Sequence, residues 1–310
     1  MRIVYMGTPD IAVPCLRFLA ESKHEVVGVL TQPDRPKGRG HHTIPTPVKA
    51  AALEYDIPVY QPLSLRKGED AATALETLRQ LAPDLIVVLA YGQLLPKEVL
   101  ELPKYHCINL HASLLPAYRG AAPIQWVILN GETKTGVTAQ QMEEGLDTGD
   151  MLVKKEIAIG AEETAEELYE RLSELCVETL SETLEQLEAG TLQGTPQDDA
   201  QSSYASRITK EMSALDFTRP AAELHNLIRG ITGFTMLEGK RLKVYGSRVV
   251  EGVSGEAGTI AEPEDFVVAC GDGNGLRFTE IQPEGKRRMA TADFLRGKKL
   301  KKGEKLGNAE

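Results

Sequence analysis

The sequence predicts an α/β chain in two parts, a Rossmann-like domain with a parallel sheet followed by a small all-β barrel. Over about the first half, short β-branched runs alternate with helical stretches, which is the pattern of a parallel α/β sheet. The C-terminal part instead shows short strands separated by glycine turns, as in small barrels. The 310 residues, 42% of them apolar, are enough for two hydrophobic cores.

In the first part the apolar runs predict strands at residues 3–6, 26–30, 85–90 and 107–111. Helical spacing predicts helices at residues 10–20, 47–54, 69–81 and 121–130. The turn Met6–Asp10 follows the first strand, where a dinucleotide site could begin. It lacks the three glycines that let a pyrophosphate approach the backbone, so we expect a Rossmann-like scaffold without a nicotinamide site.

A long amphipathic helix is predicted next. Thr164 and Glu167 have the spacing of a capping box, leucines follow at near-helical intervals, and Gly190 marks the end. Residues 193–206 lose this periodicity and collect Gly, Pro, Asp, Gln and Ser, as a linker does. Beyond them we expect a helix at 221–229 and strands at 241–245, 258–260, 266–269 and 275–281. The predicted domains are therefore 1–190 and 208–310, joined by a linker at 191–207.

The residues most suited to chemistry lie at the end of the fourth predicted strand. Alternation along a strand puts Asn109 and His111 on one face, roughly 7 Å apart, at the carboxyl end where ligands bind in open α/β sheets. Asp147 follows in a glycine-rich loop, where an aspartate is most often a turn former. An amide donor, an imidazole and a carboxylate together suit stabilisation of an oxyanion in acyl transfer.

Composition limits the cellular setting. The four cysteines have neither the density of a disulfide framework nor the paired spacing of a zinc site, so we expect reduced thiols. The start of the sequence does not resemble a signal peptide, and no apolar run is long enough to span a bilayer. We therefore expect a cytoplasmic protein that does not associate with a membrane.

The charge is distributed unevenly. The chain carries a net charge of −10, yet nine Lys or Arg residues face only two acidic ones between Lys286 and Lys305. Such asymmetry is expected of a local phosphate-binding surface, although a solubilising lysine-rich tail has the same composition. A second basic stretch at residues 33–49 is too long for a simple connection, but surface loops are also basic by chance.

Six segments together resemble the methionyl-tRNA formyltransferase family: Met6–Asp10, Thr31–Gly40, Asn109–Pro116, Tyr118–Gln125, Thr135–Thr138 and Gly145–Asp150. The Asn109–Pro116 core alone is shared with glycinamide ribonucleotide and sugar formyltransferases, so it indicates the cofactor class rather than the substrate. The resemblance implies transfer of a formyl group from 10-formyltetrahydrofolate to the amino group of methionine on initiator tRNA. The product, N-formylmethionyl-tRNA, serves translation initiation, and the enzyme is expected to be a monomer.

The resemblance also implies residue roles. Asn109, His111 and Asp147 are expected to be catalytic, without a metal, and the folate is expected to contact Ser113, Leu114, Leu115 and Pro116. The C-terminal domain is expected to be OB-like and to help hold the tRNA. The predicted tRNA contacts are Lys37, Arg39 and Lys49 in the basic loop and Lys298, Lys299, Lys301 and Lys302 near the C-terminus. Ile231–Met236 departs from the family, which has a slightly longer Asn-Pro-Trp-Pro type segment there.

Two other functions stay open on sequence alone. One is a different 10-formyltetrahydrofolate-dependent formyltransferase or hydrolase that acts on a small substrate; the basic segments favour tRNA over it. The other is a nucleotide- or RNA-binding module with an inactive site. Such a module would be expected to lack one of the three polar groups, and Asn109, His111 and Asp147 are all present.

Overall fold

The computed structural model describes residues 1–37 and 42–307, which form two compact units. Unit 1 consists of Met1–Gly120, Lys134–Ala158 and Tyr169–Ala205. Unit 2 consists of Ala121–Thr133, Ile159–Leu168 and the chain from Ser206 onward. Each unit thus combines segments that are distant in the sequence. The functional domain boundaries at residues 190 and 207 remain predictions.

The strands, in chain order, are β1 (Arg2–Gly7), β2 (Glu25–Leu30), β3 (Arg35–Lys37), β4 (His42–Ile44), β5 (Val59–Tyr60), β6 (Leu85–Leu89), β7 (Cys107–His111), β8 (Arg119–Gly120), β9 (Lys134–Gln141), β10 (Met151–Ala158), β11 (Tyr204–Ala205), β12 (Gly233–Leu237), β13 (Lys240–Val250), β14 (Ile260–Glu262), β15 (Val267–Ala269), β16 (Gly275–Pro283) and β17 (Met289–Ala290). The α-helices are α1 (Val13–Ala20), α2 (Pro47–Glu54), α3 (Gly68–Leu81), α4 (Lys97–Leu100), α5 (Pro123–Leu129), α6 (Ala165–Ala189), α7 (Ala221–Ile231) and α8 (Thr291–Gly297).

Unit 1 is built on a seven-stranded sheet with the order β10-β9-β7-β6-β1-β2-β5. Strands β1, β2, β5, β6 and β7 are parallel, while β9 and β10 run antiparallel to their neighbours. The central strands β1 and β6 are buried almost throughout, as expected for strands covered on both faces. The predicted Rossmann-like fold is confirmed, with the antiparallel pair β9–β10 as an addition that the sequence patterns did not predict.

Local signals account for most of the helices. Thr46 caps α2 by accepting a hydrogen bond from the Lys49 amide at 3.1 Å, and Pro47 stands at the first helical position. The predicted bounds of α2 are confirmed. The helix predicted at residues 10–20 instead begins as a 3₁₀ turn, and α1 starts only at Val13. The reason is Pro14, which has no amide hydrogen and fits only in the first turn of an α-helix.

The long helix α6 confirms the capping box. The Thr164 amide donates to the Glu167 carboxylate at 2.8 Å, and the Glu167 amide donates back to the Thr164 hydroxyl at 3.2 Å. Two amides without partners within the helix are thus satisfied. In the described ranges none of the helices has both the length and the apolar character needed to cross a bilayer.

Unit 2 contains an antiparallel sheet with the order β12-β13-β16-β15-β14, and β17 pairs with β16. A core that includes Leu224 and Ile228 of α7 and Phe266 and Phe278 of the sheet region fills it. The Ile231–Met236 segment ends α7, turns at Thr232 with φ +62°, and begins β12. The strand predicted at 258–260 starts two residues later, as β14.

Residues 303–307 close this sheet into a barrel. Gly307 exchanges two backbone hydrogen bonds with Met236 of β12, at 2.9 and 3.0 Å. On the other side, the Ile260 amide of β14 donates to the Glu304 carbonyl at 2.9 Å. Both edge strands therefore find backbone partners in one short segment, and the predicted all-β barrel domain is confirmed.

We predict that Thr164→Ala lowers the free energy of unfolding by about 1 kcal/mol, the usual cost of losing a helix cap. Hydrogen bonding from Thr164 lowers the pKa of Glu167 in the folded protein. This carboxylate therefore stabilises the fold at pH values above the pKa that it has in the unfolded chain. That contribution is lost as the pH falls through the lowered pKa. Part of the stability lost in Thr164→Ala should therefore disappear at acidic pH, where the wild type loses this contribution too. Urea unfolding of both proteins over a range of pH measures the difference in unfolding free energy.

The matched control is Thr77→Ala. The Thr77 hydroxyl bonds to the Thr73 carbonyl within α3 and caps nothing, so its loss should leave stability nearly unchanged. Equal effects of the two substitutions would contradict the capping account.

Candidate active site

The pairing of β7 with β9 brings four polar residues together. In this antiparallel pair Asn109 lies opposite Gln140, and His111 lies opposite Thr138. Asn109 and His111 share one face of β7 because side chains alternate along a strand. Gln140, Thr138 and His111 are buried, while Asn109 is partly exposed. The register between β7 and β9 thus fixes the positions of these polar groups independently of the loops.

Asp147 reaches these strands from the loop between β9 and β10. Its carboxylate accepts hydrogen bonds from the Gly120 amide at 2.9 Å, from the Gln140 side chain at 2.8 Å and, more weakly, from Asn109 at 3.4 Å. Its φ of +54° lies in the left-handed region, which aspartate tolerates better than most residues. The residues predicted from the sequence, Asn109, His111 and Asp147, therefore converge.

His111 is held between two acceptors. Its Nε2 lies 2.8 Å from the Tyr118 carbonyl oxygen, so this nitrogen donates, and its Nδ1 lies 3.6 Å from Oδ1 of Asp147. The two side chains are 7% and 12% exposed, respectively. In this orientation Nδ1 faces the carboxylate. A proton on Nδ1 would form an ion pair with Asp147, while a neutral ring would present a lone pair there.

The arrangement is suited to moving protons and stabilising negative charge. Asn109 offers an amide donor, the His111 imidazole can gain or lose a proton, and Asp147 supplies a fixed, largely buried charge. Donors held rigidly in a poorly hydrated site stabilise a developing oxyanion better than water does. Where the structure describes the chain, no group of three or more His, Cys, Asp or Glu side chains could hold a metal ion. The expectation that no metal takes part remains a prediction.

The segment predicted to contact folate follows β7 directly. The Ser113 hydroxyl donates to the Ala117 carbonyl at 2.7 Å, and both Ser113 and Leu115 are fully buried. Leu114 and Pro116 keep some exposed surface. Any contact by the Ser113 or Leu115 side chains with a flat ring would need a rearrangement, so Leu114, Pro116 and the backbone are the better placed groups.

Two residues outside that segment hold it in position. The Thr138 hydroxyl donates to the Ser113 carbonyl at 2.7 Å and accepts from the Leu115 amide at 3.1 Å. The Lys154 ammonium donates to the Leu115 carbonyl at 2.8 Å. Antiparallel strands β9 and β10 thus support both the polar groups and the adjoining loop.

The predicted basic loop is partly a hairpin and partly a helix. Lys37 ends β3, which pairs with β4, and Arg39 lies outside the described residues. Lys49 belongs to α2 rather than to the loop. Its ammonium forms an ion pair with Asp34 at 2.5 Å, and this contact lowers the pKa of the Asp34 carboxyl. Lys49 is thus already neutralised by a neighbour, and its predicted role with tRNA is untested.

The C-terminal lysines belong to an ordered segment rather than a loose tail. Leu300 and Leu306 are buried in the barrel, whereas Lys299, Lys301 and Lys302 are exposed. The Lys298 ammonium lies 2.6 Å from a carboxylate oxygen of Glu238. The alternation of apolar and charged residues therefore serves barrel closure on one side and leaves positive charge on the other.

Sequence patterns missed the residues that support the site. Thr138 and Gln140 alternate along β9, and reading residues 134–141 as a strand would have put both on one face. Gln197 contacts the Asp147 loop, which comprises residues 142–150 between β9 and β10. It lies in a segment without periodicity, so no local pattern predicted its contact with the site. The cysteines agree with prediction: all four are buried and free, and burial raises the pKa of Cys176 to about 12.

Two family models match the chain. The model described as "Formyl transferase" matches residues 1–184, and the model "Formyl transferase, C-terminal domain" matches residues 207–299. Together they cover most of the sequence. A methionyl-tRNA formyltransferase of Geobacter sulfurreducens is 50% identical over 100% of this chain and 98% of its own length. One from Alkaliphilus oremlandii is 49% identical over 99% of this chain and 100% of its own.

Solved structures share the fold at much lower identity. The sugar 3N-formyltransferase WlaRD, determined with dTDP and 5-N-formyl-THF, has a TM-score of 0.69 at 20% identity and covers 93% of this chain and 99% of its own. HypX from Aquifex aeolicus, determined with tetrahydrofolic acid, has a TM-score of 0.61 at 18% identity. It covers 95% of this chain and 47% of its own. These likenesses concern the fold alone.

Proposed function

Because the chain belongs to the methionyl-tRNA formyltransferase family, we propose that it transfers the formyl group of 10-formyltetrahydrofolate to the amino group of methionine on initiator tRNA. The observation that carries the assignment of the site is the convergence of Asn109, His111 and Asp147 at the carboxyl end of β7. We expect the protein to act as a monomer in the cytoplasm.

The reaction needs two proton movements and one stabilised anion. The methionine nitrogen attacks the formyl carbon, and the carbonyl electrons move onto the formyl oxygen. Asn109 donates a hydrogen bond to this oxyanion, and a protonated His111 stabilises it by charge. When the bond from the formyl carbon to folate N10 breaks, N10 gains a proton and the attacking nitrogen has lost one. We propose that His111 supplies the first proton from a ring nitrogen that leaves its contact with Tyr118 or Asp147, and that Asp147 receives the second proton directly or through water.

The folate and the tRNA are assigned to different surfaces. Leu114, Pro116 and the backbone of the Ser113–Pro116 segment follow His111 directly, so a pterin stacked there would bring its formyl group towards β7. For the tRNA we propose that Lys37, Arg39 and Lys49 act near the acceptor end, and that Lys298, Lys299, Lys301 and Lys302 contact phosphates. Support for the second group is the exposed charge of three of these lysines on the barrel.

The deciding experiment supplies 10-formyltetrahydrofolate with a panel of aminoacylated tRNAs and measures N-formylated amino acids. We expect N-formylmethionine on initiator tRNA and little product on elongator tRNAs. Parallel reactions with a dTDP-amino sugar and with water alone test the alternative of a small-substrate formyltransferase or hydrolase. Product only in those reactions would overturn the proposed function.

We predict that His111→Asn and Asn109→Ala each lower the single-turnover rate about 10²- to 10³-fold, the usual cost of removing one oxyanion donor. Affinity for folate and tRNA should change little, because the lost contact is strongest in the transition state. His106→Asn is the matched control, since His106 is an exposed imidazole outside the proposed site. Wild-type rates in both site variants at saturation would remove the two residues from the mechanism.

We predict that Asp147→Asn also lowers the rate and changes its dependence on pH. The carboxylate accepts from Gly120, Gln140 and Asn109, so an amide there would direct its own NH₂ at one of these donors. The negative charge facing His111 is lost as well. Single-turnover rates between pH 5 and 9 measure both effects, and a profile parallel to that of the wild type would contradict the proposed charge pairing.

We predict that neutralising the four C-terminal lysines weakens tRNA binding and lowers the slope of log affinity against log salt by up to about 0.7 to 0.9 per lost phosphate contact. Chemistry on bound tRNA should stay intact. A salt slope that stays unchanged would reject the phosphate contacts. The control variant carries glutamine in place of four exposed lysines of unit 1, namely Lys23, Lys67, Lys97 and Lys104.

We predict that Arg39→Ala instead lowers turnover more than tRNA affinity, because misplacing the acceptor end of the tRNA moves the reacting atoms apart.

A further inference from the structure

Residues 194–205, which the sequence predicted to be part of a linker, are fixed along the Asp147 loop. We call them the strap. At one end the Thr195 amide donates to the Met151 carbonyl at 2.9 Å, and the Met151 amide donates back at 2.9 Å. At the other end β11 pairs with β8, so that Tyr204 lies opposite Arg119. The strap thus joins the end of the Asp147 loop to the segment that contains Tyr118, which contacts His111, and Gly120, which contacts the Asp147 carboxylate.

Gln197 is the side chain that links the strap to the Asp147 loop. Its amide nitrogen donates to the Asp147 carbonyl at 2.9 Å and to the Gly149 carbonyl at 2.7 Å. Its amide oxygen accepts from Nε of Arg119 at 3.0 Å. Both hydrogens of the amide and its oxygen are therefore used, and the orientation of the amide group is fixed by three bonds to two different loops.

The Asp147 loop needs such support. Asp147 has a positive φ, which costs energy in a residue other than glycine. On one side the loop already lies very close to β9, because a Cβ at Gly149 would come within 1.7 Å of the Gln141 carbonyl oxygen. Gln197 holds the carbonyl of Asp147 itself and the carbonyl two residues later. It therefore fixes the backbone from which the carboxylate extends towards His111.

Arg119 completes the connection. Besides contacting Gln197, its guanidinium donates to Asp199 of the strap at 2.8 Å, and its side chain is only 12% exposed. The next residue, Gly120, donates its amide to the Asp147 carboxylate at 2.9 Å. The same short segment thus contacts Gln197 on one side and the carboxylate on the other.

We propose that Gln197 is a positioning residue of the active site, which acts through Asp147 and is itself oriented by Arg119. This inference rests on the proposed function for its kinetic consequence, but not for its structural one. The hydrogen bonds of Gln197 go to the Asp147 loop and to Arg119 rather than to His111 or Asn109, so its effect on the reaction passes through the placement of the carboxylate.

The test compares two substitutions of Gln197. Gln197→Met keeps a side chain of similar volume that forms no hydrogen bonds. Gln197→Glu keeps the acceptor for Arg119 but replaces the donating nitrogen with an oxygen that faces the carbonyl oxygens of Asp147 and Gly149. We expect both to lower the single-turnover rate about 10- to 100-fold, the size of effect seen when supporting contacts of a site are lost, with KM for both substrates nearly unchanged. A wild-type rate in Gln197→Met would overturn the proposal in favour of simple packing.

Gln201→Met is the matched control. Gln201 lies in the same strap, and its side-chain amide donates a hydrogen bond to the exposed Asp198 carboxylate at 3.0 Å. We expect the wild-type rate and the wild-type unfolding temperature. An equal loss in the Gln201 and Gln197 variants would also overturn the proposal, because it would show a general effect of disturbing the strap.

A double-mutant cycle shows whether Gln197 acts through Asp147. In the Asp147→Asn background, Gln197→Met should cause little further loss, since the group that it positions is already altered. Additive losses would reject the coupling.

If the wild-type protein forms no N-formylmethionyl-tRNA, the proposed function fails, but NMR of the His111 ring still tests whether Gln197 positions Asp147. The ring shifts should move alike in Gln197→Met and Asp147→Asn and stay unchanged in Gln201→Met; any other pattern rejects the positioning role.

Discussion

The geometry of the candidate site depends on the register between β7 and β9. This pairing sets Asn109 opposite Gln140 and His111 opposite Thr138, and each of the four then takes part in holding Asp147 or the loop after β7. Because side chains alternate along a strand, a slip of one residue would turn the polar groups of β9 to the other face of the sheet. Gln140 would then leave the carboxylate, and Thr138 would leave the Ser113–Pro116 segment.

Elements with local signals were predicted well from the sequence. Strand β7 has the predicted bounds because apolar and polar residues alternate up to His111, and Pro116 prevents a longer strand. Helices α2 and α6 start where Thr46 and Thr164 cap them. In each case the determinant lies within five residues of the feature. The shared face of Asn109 and His111 was predictable because side chains alternate along a strand, whereas the approach of Asp147 depends on the loop that follows the antiparallel strand β9.

Features that depend on distant partners were not predictable in this way. Gln197 is 50 residues from Asp147 in the chain, and its segment has the composition of a linker, so its fixed position follows only from contacts made in the fold. Lys49 was assigned to the basic loop although the helix predicted at residues 47–54 includes it, and its ion pair with Asp34 could not be predicted from the sequence. The charge of a side chain is visible in a sequence, whereas the group that neutralises it is a property of the tertiary structure.

Closure of the barrel by residues 303–307 affects when unit 2 can become complete during synthesis. Strands β12 and β14 both pair with this segment, so until it is made, two rows of backbone amides and carbonyls stay open to other chains. All but one of the core residues precede this closing segment in the sequence. A chain stopped at residue 302 would keep the core residues up to Leu300 but lack these backbone partners, so its edges at β12 and β14 would stay unprotected.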